Sequence, residues 1–236
     1  VANLSAAIIE HANISRGASV CDIGCGYGAL ARDLSCLHGA RVTGYTLSAK
    51  QLQAAVTATR ESSDPAPRFL LGDWLENDLA NGAMDAALSI ECISHVADKT
   101  GFLAQCARVL VPGGRLVLCD WIAADDPCDW EIEALLEPIC REGLLAGIAT
   151  LGEYRVLLEG AGFRILEARD LGPQVRRTWE TICCRLVKRS LTKRAYQAAL
   201  LDELAGRRAF ALTIVRLVLG YRLRALGYGF LVAEKI

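Results

Sequence analysis

Val20-Cys21-Asp22-Ile23-Gly24-Cys25-Gly26-Tyr27-Gly28 joins a short β-prone run to the start of a helical pattern. Glycines at such a strand-to-helix turn let the backbone bend tightly and approach a ligand closely. The spacing is D-x-G-x-G-x-G, not the G-x-G-x-x-G of a nicotinamide site, where a pyrophosphate rests on the helix N-terminus. A carboxylate at Asp22, on the end of the strand, would repel a diphosphate but suits a ligand bearing an ammonium. The expected ligand is a nucleoside that carries an amino acid.

Working outward, periodicity switches repeatedly between short β-rich runs and longer helical stretches, which predicts a parallel sheet with helices on both faces. Strands are expected at Ser19–Ile23, Arg41–Tyr45, Arg68–Leu71, Met84–Ile90, Arg115–Trp121, Phe163–Asp170 and Tyr228–Ala233. Apolar spacing places helices at roughly 28–38, 48–62, 98–109 and 152–161. Pro112-Gly113-Gly114 and Gly160-Ala161-Gly162 punctuate two helix-to-strand passages. The fold class is therefore α/β, a doubly wound, mostly parallel sheet of seven strands. Residues 123–150 and 178–226 break the alternation and are expected to form a helical cap on a single domain spanning 1–236. Insertions after the carboxyl ends of strands in such sheets cover the ligand crevice, so the cap is expected to enclose substrate.

Composition narrows the class. With 236 residues, 53% of them apolar, and a net charge of −1, the chain lies in the globular range rather than the disordered one. Its longest charge-free stretch, 143–152, falls far short of the roughly 18 apolar residues that a membrane span needs. Val1 is not an initiator Met and no leader pattern follows it, so the chain is expected to continue upstream; a cytoplasmic location is expected. Ten cysteines without C-x-x-C spacing read as reduced, mostly buried thiols, and three scattered histidines supply no zinc ligand set, so no metal is expected. Charge is unevenly distributed: residues 176–224 carry 12 basic and 3 acidic side chains, whereas residues 1–175 carry 13 and 23. That basic segment fits an anionic headgroup or a charged substrate, or is simply a solvated helical face. A pI near 6.4 and the absence of any N-P-P-Y string argue against a nucleic-acid partner.

The residue pattern resembles class I S-adenosylmethionine-dependent methyltransferases, whose Rossmann-like fold carries later landmarks that follow here in order. By this resemblance Asp22, Gly24, Cys25, Gly26 and Gly28 hold the cofactor S-adenosylmethionine and its product S-adenosylhomocysteine. Gly72-Asp73-Trp74 is similar to the segment whose Asp receives the adenine amino group. Where many members have a ribose-binding acid, this chain reads Thr46-Leu47-Ser48-Ala49-Lys50-Gln51. That string resembles a narrower set, the gamma-tocopherol methyltransferases, sterol C-methyltransferases and cyclopropane fatty acid synthases. It assigns Thr46, Leu47 and Gln51 to the cofactor, with Ser48 equally suited to cap the next helix. Ser89-Ile90-Glu91-Cys92-Ile93-Ser94-His95-Val96-Ala97-Asp98-Lys99 resembles the E-x-x-x-H-x-x-D-K segment of the tocopherol branch, which adds Ile90 and Glu91 to the cofactor site.

Methyl transfer needs an acceptor held about 3 Å from the methyl in a dry pocket, and a base only where the acceptor must lose a proton. Glu91 and His95 are the candidate catalytic residues, with Asp120 and Trp121 facing the same crevice by topology. Trp121, Trp130, Tyr154, Trp179 and Tyr196, mostly in or beside the cap segments, favour a lipophilic acceptor: prenylated, aromatic or terpenoid, methylated on carbon ahead of oxygen or nitrogen, in specialised metabolism. Cyclopropane-synthase-like lipid modification and a ligand-binding scaffold without turnover are the alternatives. Arg176, Arg177, Arg185, Lys188 and Arg189 leave open a prenyl diphosphate or peripheral contact with an anionic membrane. A homodimer is also left open.

Overall fold

A computed structural model describes residues 2–59, 65–193 and 207–236. The elements run α1 (Ala2–His11), β1 (Ser19–Ile23), α2 (Ala29–His38), β2 (Arg41–Thr46), α3 (Ala49–Ala58), β3 (Arg68–Leu71), β4 (Met84–Ile90), α4 (Lys99–Val109), β5 (Leu110–Ala123), α5 (Asp129–Glu131), α6 (Glu137–Gly143), α7 (Leu151–Gly160), β6 (Phe163–Asp170), α8 (Gly172–Thr192), α9 (Arg207–Leu223) and β7 (Leu226–Lys235). Single 3-10 turns lie at Trp74–Glu76 and Ile93–His95, and a π-helical turn at Ile132–Leu136. The expected helix tail at 60–62, Tyr196 and the middle of the 178–226 segment lie outside the described residues.

The seven strands form one sheet in the order β3-β2-β1-β4-β5-β7-β6, with β1 parallel to both β2 and β4, β2 parallel to β3, and β4 parallel to β5. From β1 the chain winds out to β3 and then returns to the other side of β1 as β4. The carboxyl ends of β1 and β4 therefore flank the switch point where such sheets bind ligands. The four last residues of β1 are buried, as a strand covered on both faces requires. On α4, Phe102, Leu103, Cys106 and Val109 supply the buried face at helical spacing, and Asp98 caps its N-terminus by accepting the Gly101 N–H at 2.8 Å.

Strands β2 and β7 run past their expected bounds, to Thr46 and over Leu226–Lys235, and three larger departures from the sequence reading have a physical cause. Pro112-Gly113-Gly114 lies inside β5: between the pairs Met84–Leu110 and Ala86–Arg115, β4 advances two residues while β5 advances five, so the turn residues are absorbed as a bulge. Helix α8 starts at Gly172 rather than near 178, because Asp170 Oδ1 accepts the Gly172 and Tyr228 N–H groups at 2.6 and 2.8 Å and Pro173 suits the first turn. Helix α1 was not anticipated. It is short and lacks an acid in its first turn, so it depends on tertiary contacts such as the burial of Ile8 and His11 Nε2 to Glu167 at 2.9 Å.

By compactness the chain divides into two units. Unit 1 comprises Val1–Asp120, Glu153–Ala168 and Phe230–Ile236; unit 2 comprises Trp121–Gly152 and Arg169–Gly229. Unit 2 is mostly helical. Its π turn precedes Pro138 in the first turn of α6, where the missing N–H would interrupt a continuous α-helical ladder; the wider turn takes up the shifted register. Glu142 on α6 ties down α9, accepting from Arg216 Nη1 at 2.6 and 2.8 Å and from the Thr213 hydroxyl.

Gly28, which opens α2, has φ +70°, and a Cβ there would lie 2.4 Å from Phe69 Cζ. Gly28→Ala is expected to cost about 2–4 kcal/mol in urea unfolding, combining left-handed strain with overpacking. Adding Phe69→Leu removes the ring tip, so the double variant should recover at least about 1 kcal/mol of that loss relative to additivity.

Candidate functional site

The candidate residues of unit 1 gather along one edge of the sheet. Register pairs Ile23 with Tyr45 and with Ser89, and Thr46 with Leu71, so the parallel strands β1, β2, β3 and β4 deliver Asp22, Thr46, Gly72 and Ile90 to their common carboxyl end. Asp22 is 4% exposed, and no described residue makes a hydrogen bond or ion pair with its carboxyl. Burial alone pushes its carboxyl from 3.8 up to about 7.

After Asp22 the chain turns through Gly24, Gly26 and Gly28, all at positive φ. The Cys25 N–H donates to the Tyr45 carbonyl at 2.9 Å, pinning the turn to the end of β2. At Gly24 a Cβ would sit 2.5 Å from Cys92 Sγ, so only glycine lets the loop after β1 approach the loop after β4 this closely. Glu91 opens that second loop at φ +50°, a conformation costly for a residue with a side chain, and its N–H donates to the Cys119 carbonyl at 2.7 Å. Its side chain is exposed, as is that of His95, which ends the 3-10 turn four residues on. Asp120, 2% exposed, accepts the Ser94 N–H at 2.9 Å and so anchors the same turn from β5.

The field at this edge is negative. The Cys92 thiol is pushed up to about 12, by burial first and then by the carboxylates of Asp120 and Asp22; the Cys25 thiol reaches about 12 by burial and by Asp22. Both stay protonated near neutrality and offer no thiolate nucleophile. What the edge favours is a cation.

The remaining predicted residues divide by role. The Thr46 hydroxyl donates to Gln51 Oε1 at 2.8 Å and accepts the Ser48 N–H at 3.2 Å, while Ser48 caps α3 by accepting the Gln51 N–H at 3.3 Å. The pair is thereby preorganised, with the Gln51 amino group used by no described residue. Leu47 follows, 75% exposed. Asp73 caps the 3-10 turn through the Leu75 N–H at 3.0 Å, and its carboxylate stays exposed. Trp74 is committed to the core: its Nε1 donates to the Phe102 carbonyl at 3.2 Å and its ring packs edge-on to Tyr45. Phe69 and Cys92 escaped the sequence reading. The glycines signalled a close approach, but nothing local reveals which side chain makes it.

A buried carboxyl without a partner, beside a turn that a Cβ would close, fits the ammonium of an amino-acid-bearing nucleoside. A family model described as a methyltransferase domain matches residues 21–118. An O-methyltransferase of Pyrenophora dematioidea is 30% identical over 230 residues, 97% of this chain and 79% of that protein. The chloroplastic tocopherol O-methyltransferase of Arabidopsis thaliana is 26% identical over 223 residues, 92% of this chain and 62% of that protein. The cyclopropane synthase MmaA2 of Mycobacterium tuberculosis shares the fold, with a TM-score of 0.86 at 20% identity, covering 99% of this chain and 84% of that one. The chain spans about three fifths of the length of the first curated relatives it matches, at 62%, 58% and 62%. With the sheet order, the glycine turn and these matches together, the chain belongs to the S-adenosylmethionine-dependent methyltransferase family.

Proposed function

We propose that the protein methylates a lipophilic small molecule, prenylated, aromatic or terpenoid, with S-adenosylmethionine as donor. The observation that carries this reading is the solitary buried carboxyl of Asp22 at the switch point. Asp22 would accept the ammonium of the cofactor, the Gly24–Gly28 turn would take its backbone side, and Thr46, Gln51 and Asp73 would serve the nucleoside. The bound cofactor supplies a methyl group activated by its sulfonium. The chain's own residues orient the acceptor, exclude water and remove a proton where the acceptor demands it.

Glu91 is assigned as that base, since a strained backbone at the end of β4 is retained only where something over-determines it. His95, beyond it on the same turn, is a second candidate. Acceptor choice is assigned to unit 2, where Trp121 and Trp179 pack edge-on with ring centroids 6.0 Å apart. Carbon is the preferred target on the Thr46–Gln51 string that resembles sterol C-methyltransferases and cyclopropane synthases. Oxygen is the second reading, favoured by a relative named as an O-methyltransferase that matches almost the whole chain. A screen of labelled cofactor against quinols, tocopherol-like phenols, indoles and prenyl diphosphates tests the acceptor class; turnover confined to polar amines or to protein would refute it.

Asp22 gives a test with a defined sign. Its carboxyl titrates near 7 when folded and near 3.8 when not, so the folded state holds a proton that the unfolded state has released between those values. Stability then falls as pH rises from about 4 to 7, by up to about 4 kcal/mol for this group, and levels off above. Asp22→Asn should therefore unfold at progressively higher urea than the wild type as pH rises through that window. By calorimetry the same variant should bind S-adenosylhomocysteine at least tenfold more weakly at pH 8. For Glu91→Gln, turnover should drop about 100-fold or more while cofactor affinity stays within about threefold; unchanged turnover would remove the base assignment.

A further inference from the structure

We infer that the outward face of α8 docks on an anionic lipid surface. In unit 2, Val175, Trp179, Ile182, Cys183, Leu186 and Ser190 form the half-buried side of α8, a stripe at helical spacing, and α9 is the helix packed against α8. Turned about 180° away at 100° per residue are Arg177, Thr181, Cys184, Lys188 and Leu191, flanked by Arg185, Val187 and Glu180. Val187 and Leu191 are 52% and 76% exposed. Among the described residues, no carboxylate pairs with Arg177, Arg185 or Lys188, whereas Arg176 lies 3.6 Å from Glu180, which Arg222 also binds at 2.9 Å. The outward face therefore combines uncompensated cations with exposed aliphatic side chains on one helix.

Each candidate occupant uses that combination differently. A polynucleotide would draw on the cations and leave Val187 and Leu191 in water. A symmetric contact with a second copy would bury the aliphatic pair but set a segment with 12 basic and 3 acidic side chains against itself. An anionic bilayer surface satisfies both groups at once: aliphatic side chains enter the headgroup boundary while Lys and Arg stems reach the lipid phosphates. Contact is peripheral, because no helix among the described residues is long and apolar enough to cross a membrane. Neighbouring α9 adds exposed aliphatic surface at Leu212, Val215, Leu219 and Leu223, each 42–47% exposed. This docking stands apart from the acceptor reading.

Sedimentation of the full chain with phosphatidylcholine vesicles, with and without about one third phosphatidylglycerol, tests it at low and high salt. The wild type should pellet only with the anionic vesicles and be released by high salt. Arg185→Gln with Lys188→Gln should weaken binding about 25-fold, roughly fivefold per charge. Val187→Ser with Leu191→Ser should weaken it about tenfold. Both pairs should bind S-adenosylhomocysteine as the wild type does, which separates lost docking from lost folding or lost cofactor binding. The proposal is overturned if the wild type stays in the supernatant at low salt, or if the aliphatic pair of substitutions changes nothing. Release from anionic vesicles by equimolar duplex DNA or inorganic pyrophosphate, or a lipid-free dimer that the aliphatic substitutions dissociate, would equally overturn it.

Discussion

Taking a carboxylate out of water at the end of a parallel strand is costly unless something positive meets it, and among the described residues of unit 1 nothing does. The sheet topology puts that carboxyl where folds of this kind bind ligands, because β1 is the strand on whose two sides the chain departs and returns, and its carboxyl end opens where the flanking connections diverge. With Asp120 and Asp22 both raising the Cys92 thiol, the edge carries a negative field that a cationic ligand relieves. A ligand bound to the folded state alone stabilises that state by mass action, so a cation that met Asp22 would couple folding to binding.

Around that charge the structure achieves closeness by omission. Gly24 lets the backbone approach Cys92, and Gly28 lets α2 begin against Phe69. Large side chains at this end of the sheet hold the frame: Trp74 bonds to the carbonyl of Phe102, and Tyr45 donates its hydroxyl to Asp78 at 2.9 Å. Such support is what keeps binding groups rigid enough to be selective. Thr46 and Gln51 illustrate the same economy, since the hydroxyl that orders the Gln side chain also receives a backbone N–H.

Unit 2 is built on other terms. Its helices are interrupted where Pro138 forces a π turn and are joined by the shared acceptor Glu142. Its charge is divided along the chain, with 12 basic and 3 acidic side chains in 176–224, and on α8 part of that charge has no carboxylate partner among the described residues. Excess like charge on a helical surface is unfavourable by itself and becomes useful only against an opposite charge outside the molecule.

The sheet was legible because strand and helix signals are local. Ser19–Ile23, Arg68–Leu71, Met84–Ile90 and Phe163–Asp170 agree with the sequence reading to the residue, and the D-x-G-x-G-x-G turn announces the left-handed backbone found at its three glycines. Helix α1, the bulge in β5 and the early start of α8 were not legible, since each depends on a partner distant in the chain: Glu167 for His11, β4 for the bulge, Tyr228 for Asp170. Readable along the chain were the alternation of elements, the place of Asp22 at the end of a strand and the division of charge, because periodicity, turn chemistry and ionisation are properties of neighbours. Packing was needed to show that Trp74 belongs to the core, that Cys92 closes on Gly24 and that no described residue pairs with the Asp22 carboxyl. Burial and contact are settled by packing between residues far apart in sequence, and no local pattern encodes them.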